Sequence, residues 1–130
     1  MDCPVCAKDP TSHSFKRLGT SDEGTVIMYT KPAEATKYWD CAGILYHYDN
    51  VLAKIDGTWA WIFDAEDFSY EHMFEVNVAI GLARLISTKY SHNLQKITVV
   101  NPSFMVQLAI NIVMPFLNKR MRELVKVITD

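Results

Sequence analysis

The sequence predicts an α/β domain with a small, mostly parallel sheet of about four strands covered by helices. Three observations carry this. Thr58-Trp-Ala-Trp-Ile-Phe-Asp64 and Lys96-Ile-Thr-Val-Val100 are short runs of aromatic and β-branched residues, the composition of buried strands. The segment between them is long enough to form the crossover helix that two parallel strands require. Strand and helix patterns alternate from residue 24 onward, which argues for βαβ units.

Residues 1–23 are polar, with Pro4, Pro10 and Gly19, and read as an irregular N-terminal arm; residues 24–130 read as a single domain. Gly24–Thr30 is the first expected strand, stopped by Pro32, which also suits the first turn of a helix over 32–39 with Thr30 as cap. Ile44, Leu45, Tyr48, Val51, Leu52 and Ile55 recur at helical spacing, so 41–55 is expected to be a helix ended by Asp56-Gly57. The strand 58–64 is apolar on both faces, through Trp59, Trp61 and Phe63 on one and Ala60 and Ile62 on the other. That places it centrally in a sheet covered on both sides. Ser69 opens one long helix to about Tyr90. Ser91-His92-Asn93 is a turn, and 96–100 is a strand ended by Asn101-Pro102. Ser103 caps the next helix, which Pro115 ends or kinks. A short helix or turn over 119–123 and a last strand over 124–129 complete the pattern.

Composition narrows the function. Apolar residues make up 49% of 130 residues, enough for a real core in a domain of the commonest size. Six Met and fifteen aromatic residues, counting Phe, Tyr and Trp together, make that core bulky and suited to an adaptable apolar site. A net charge of −2 gives no basis for nucleic-acid binding. No run is long enough to span a membrane, and Met1–Cys6 does not look like a secretory signal. Three cysteines, an odd number, argue for a reducing, cytoplasmic setting. No Gly-rich phosphate loop follows either strand and no nucleophile stands beside a base, so the reading is non-catalytic.

Trp59-Ala-Trp-Ile-Phe-Asp64, Phe68-Ser-Tyr-Glu-His72, Tyr90-Ser-His-Asn-Leu94, Ile97-Thr-Val-Val-Asn-Pro102 and Pro115-Phe-Leu117, in this order, resemble the CRAL-TRIO lipid-binding domain over residues 24–130. Ser91 stands where that family often has Pro, and Asn101 is followed directly by Pro102. By the same resemblance the chain is a minimal version, without the family's N-terminal helical lobe and C-terminal gate helix. The resemblance implies binding of a hydrophobic small molecule or phospholipid. Its site would be Trp59, Trp61 and Phe63 on the sheet with Phe104, Met105, Leu108, Ile112 and Phe116 on the helix that follows. The competing readings are that these residues are ordinary core, or that the apolar surface meets a partner protein or a second copy of the chain.

Other residues carry smaller expectations. Cys3-x-x-Cys6 is half of a zinc site, with His13 as third ligand and Cys41 or His47 as fourth; otherwise no cofactor is expected. Asp64, Glu66 and Asp67 follow a strand where α/β folds bind ligands, which would suit a metal-dependent hydrolase; a solvated loop and helix start explains them more simply. His72 sits near carboxylates as a general base would, but a helix-turn hydrogen bond accounts for it. Lys119, Arg120, Arg122 and Lys126 form a basic stretch that fits either peripheral contact with an anionic membrane or a solvated turn.

Overall fold

The computed structural model of the chain describes residues 3–128. Met1 and Asp2 of the expected arm, and Thr129 and Asp130 at the end of the last expected strand, lie outside the described residues. Five strands form one sheet in sequence order: β1 (Lys16–Thr20), β2 (Val26–Thr30), β3 (Trp59–Asp64), β4 (Leu94–Val100) and β5 (Val125–Val127). β1 runs antiparallel to β2, and every other pair is parallel.

Each parallel step crosses over through helix. α2 (Cys41–Leu52) joins β2 to β3. α3 (Tyr70–Phe74) and α4 (Val76–Leu85) join β3 to β4. α5 (Phe104–Val113) and α6 (Lys119–Leu124) join β4 to β5. Strands added in one direction by right-handed crossovers put their helices on the same face. Val26, Met28, Trp59, Trp61, Leu94 and Ile97 occupy that face and are buried. Ala60 and Ile62, on the other side of β3, stay part-exposed and outside the core. The strand is central, as expected, but the helices of the core cover only one of its faces.

The sheet is the expected mostly parallel one, with a fifth strand. β1 lies inside the stretch expected to be irregular, as does a one-turn helix, α1 (Pro4–Lys8). Lys-Arg-Leu-Gly-Thr shows no apolar alternation because β1 is an exposed edge strand, held by backbone pairing to β2 rather than by burial. The arm is also docked. Phe15 stacks on Tyr48 with ring centroids 3.8 Å apart and is buried in the core with Trp59 and Trp61.

Other boundaries moved for local reasons. The expected helix over 32–39 is a single 3₁₀ turn, Pro32–Glu34, without a side-chain cap. The expected helix over 69–90 breaks at Glu75 (φ −89°, ψ 42°), after a short turn closed by the reciprocal Ser69–His72 capping box. It ends in a wide π turn, Ile86–Tyr90. There Asn118 Nδ2 and Ser91 Oγ both donate to the Ser87 carbonyl, drawing it out of the regular ladder. Ser103 caps α5 by accepting from the Val106 amide, and Met114-Pro115-Phe116 ends it as a 3₁₀ turn.

Candidate functional site

A cavity of about 120 Å³ lies between the covered face of the sheet and the helices. Its floor follows from strand register: Trp61 pairs with Ile97 and Ile97 with Val125 in one row, and Phe63 with Val99 in the next. Met73, Val76, Ala79, Leu82 and Ala83 form one wall from α3 and α4. Val106, Ala109, Ile110 and Val113 of α5 form the cover, and Leu117 and Met121 close one end. The floor is therefore not left open, because α5 itself lies over it.

Besides the indole N–H of Trp61, which is donated to Thr30, only Tyr38 and His72 bring side-chain nitrogen or oxygen atoms to the lining. Burial pushes the Tyr38 hydroxyl above its ordinary value, so it stays protonated. Burial also lowers the His72 pKa, outweighing a hydrogen bond with the Pro32 backbone and the charge of Glu71. His72 Nδ1 accepts from the Ser69 amide at 2.9 Å and faces the Ser69 hydroxyl at 3.0 Å. The ring stacks on Phe68 and meets Tyr38 edge-on. It serves as a capping group and an apolar plate, as the helix-turn reading expected.

The structure brings Trp61 and Phe63 to the cavity but not the other residues singled out for the ligand. Trp59 is buried, its indole N–H donated to the Tyr90 carbonyl at 3.1 Å. Phe104, Leu108 and Ile112 face solvent on the outer side of α5, and Met105 does not line the cavity. Phe116 packs under the Arg84 guanidinium instead. The side of α5 that lines the cavity is thus not the side the sequence singled out. Eight of its ten residues are apolar, so spacing alone does not choose a face.

In the acidic cluster, Asp64 and Glu66 are engaged by neighbouring groups of the fold. Asp64 is buried, accepts from the Tyr29 hydroxyl at 2.5 Å and from Asn101 Nδ2 at 2.9 Å, and receives the Glu66 amide at 3.0 Å. Burial pulls its pKa upward, but those hydrogen bonds and the Lys31 charge outweigh it, and the carboxyl sits below its ordinary value. Glu66 pairs with Lys31 at 2.8 Å. In the basic stretch, Arg120 donates to the Ser91 and Leu94 carbonyls and Arg122 to the Leu117 carbonyl, while Lys119 and Lys126 remain exposed.

A second cluster joins the N-terminal segment to α2. One potential ligand atom from each of Cys3, Cys6, His13 and His47 lies within 4.8 Å of all the others. The structure thus brings Cys3, Cys6 and His13 together with His47 rather than with Cys41. Cys41 turns its sulfur to the Asn77 carbonyl.

A mostly parallel five-stranded sheet with helices gathered over an apolar cavity defines an α/β fold. The chain belongs to the CRAL/TRIO domain family, whose model matches residues 25–130. That family typically binds hydrophobic ligands and is generally a non-catalytic binding module. A comparison with curated proteins finds no match. No helix among the described residues is long and apolar enough to cross a membrane.

Proposed function

We propose that the chain binds a hydrophobic small molecule of the phospholipid or isoprenoid class, holding its apolar part in the cavity under α5 without bond-making chemistry. The observation that supports this most is the lining, where Trp61, Phe63, Val99, Val106, Ile110 and Val113 converge and, with the Trp61 indole N–H already donated to Thr30, only Tyr38 and His72 add polar groups. The cavity size sets the mode. An apolar cavity of roughly 150 Å³ holds one benzene ring, whereas drug-sized ligands fill ~300–1,000 Å³. At about 120 Å³, the space takes the end of an acyl chain or a small ring. Each methylene buried there contributes ~0.8 kcal/mol. A longer ligand requires α5 to move outward, and α5 is anchored by a single fully buried residue, Val106. Peripheral contact with a membrane surface is the natural route for such a ligand.

The test is lipid extraction and mass spectrometry of freshly purified protein, together with titration of a fluorescent fatty acid. Saturable uptake by the natural chain is expected, with affinity lowered more than about tenfold in Ala109→Phe, which fills the cavity from α5. No uptake, or equal uptake by an Ala109→Phe protein of unchanged circular dichroism, overturns the reading.

A second reading, contact with a partner protein or a second copy, is favoured by one observation. Phe104, Leu108 and Ile112 form an exposed apolar stripe along α5. Under this reading the protein self-associates or captures a partner in a way that Phe104→Ser with Leu108→Ser abolishes, while lipid uptake is unchanged.

A further inference from the structure

We propose that Cys3, Cys6, His13 and His47 hold one zinc ion, which clamps the N-terminal segment onto α2. Three distances carry the geometry. Cys3 Sγ and Cys6 Sγ each lie 3.5 Å from His13 Nδ1, and Cys6 Sγ lies 3.4 Å from His47 Nδ1. A tetrahedral zinc ion with Zn–S of about 2.3 Å and Zn–N of about 2.05 Å spaces its sulfur and nitrogen ligands about 3.5–3.6 Å apart. The observed separations match three of the four sulfur–nitrogen edges of that tetrahedron, and all four ligand atoms lie within 4.8 Å of one another.

Hydrogen bonding alone accounts for them less well. His13 Nδ1 has one in-plane lone pair, yet two sulfurs stand equally close to it. A cation at the centre uses that lone pair once and draws both sulfurs in as thiolates.

The outer contacts of the two histidines agree. His13 turns Nε2 to Asp40 Oδ2 at 3.0 Å, and His47 turns Nε2 to the Phe15 carbonyl at 3.0 Å. The outer contacts call for a proton on both Nε2 atoms, so neutral imidazoles here have both Nδ1 lone pairs free to bind the ion. A carboxylate or carbonyl behind a ligating imidazole is the usual support of a metal-bound histidine. Asp40 is fixed in turn, since its other oxygen accepts from the Gly43 amide as the cap of α2.

The site also answers a structural need. α1 has five residues and none of them is fully buried, so neither length nor burial explains why it is ordered. Cys3 and Cys6 flank and enter α1, His13 follows it, and His47 lies on α2. Binding fastens three parts of the chain at one point and fixes the path that delivers Phe15 to Tyr48. Two thiolates and two neutral imidazoles select a borderline-soft tetrahedral ion over calcium or magnesium. Zn²⁺ displaces two thiol protons to solvent, leaving a site of zero net charge. Cys3, Cys6 and His13 precede the region the family model matches, so the clamp is independent of the lipid reading.

Elemental analysis and native mass spectrometry of protein purified without chelator are expected to show one zinc per chain. Removing it with a chelator should lower Tm, and restoring Zn²⁺ should recover it. Replacing zinc with Co²⁺ in the natural chain should give thiolate-to-cobalt charge transfer and tetrahedral d–d bands. Cys41→Ala should keep full stoichiometry, Cys3→Ala and His47→Ala should lose the ion, and Asp40→Ala should weaken binding ~10–100-fold. The Co²⁺ spectrum needs no variant, so it decides even where a ligand variant fails to fold. A chain that takes up neither Zn²⁺ nor Co²⁺, or whose uptake is unchanged in Cys3→Ala and His47→Ala, overturns the proposal.

Discussion

Thr30 Oγ1 accepts the indole N–H of Trp61 at 3.0 Å and shares a second hydrogen bond with the Tyr48 hydroxyl at 2.6 Å. Tyr48 also reaches the Ser14 carbonyl at 3.3 Å, so two buried hydroxyls in series link the cavity floor, α2 and the N-terminal segment. Thr30→Val keeps the shape and leaves two buried polar groups short of a partner. We expect a loss of ~1–3 kcal/mol in urea unfolding. Thr30→Ser, which keeps the oxygen, should lose less than Thr30→Val; a larger loss for Ser would show that packing, not the hydroxyl, matters at this position.

The two sides of α5 should respond differently. Val106 faces the cavity and is buried, whereas Phe104 is 79% exposed. Val106→Ala should cost on the order of 2 kcal/mol and change ligand uptake. Phe104→Ser should move stability by no more than ~0.5 kcal/mol and leave uptake intact. Thermal unfolding and probe titration of both variants would read this directly, and a reversed order would return the binding face to the outer side.

Asp64 predicts a pH dependence. Its folded pKa lies below the unfolded one, because the hydrogen bonds from Asn101, Tyr29 and the Glu66 amide outweigh the cost of burial. Its contribution is therefore complete above the unfolded value of about 3.9 and is lost as pH falls through the folded value. Unfolding curves of the natural chain and Asp64→Asn should differ most near neutrality and converge in acid. A gap that stays constant with pH would show that the carboxylate charge is not what those hydrogen bonds stabilise.

Gly43 is held to glycine by its neighbour. A Cβ there would come within 2.0 Å of Asp40 Oδ2. Gly43→Ala must push the Asp40 side chain away, so the helix-propensity gain of roughly 1 kcal/mol is offset by loss of the α2 cap, also about 1 kcal/mol. Tm should move little, while zinc affinity drops ~10–100-fold as His13 loses its carboxylate. Unchanged affinity in a well-folded Gly43→Ala protein would show that Asp40 does not support His13.

The parallel strands were legible because their signals are strong and local: one aromatic run and one β-branched run separated by a crossover length, each ended by a polar residue. Trp61 and Phe63 were legible as neighbours on one face because side chains alternate along a strand, and their bulk marked that face over the one carrying Ala60 and Ile62. α5 was not, since a helix apolar nearly all round carries no period that marks its inner side. β1 was missed for the opposite reason, having no apolar residue pattern to bury. The choice between Cys41 and His47 also lay beyond the sequence. Six positions apart on a helix, they point about 120° from one another, and only the docking of the N-terminal segment decides which side it meets.

The sheet's two margins bear on solubility. On one, β1 presents Lys16 and Arg17 and slips register between Arg17 and Gly19. On the other, β5 offers only three residues. Charge and irregularity at the first rim, and brevity at the second, give a stray extended chain little backbone to pair with. Lateral growth into fibrils is thereby discouraged at both ends of the molecule, even though its middle strands are among the most aromatic segments it has.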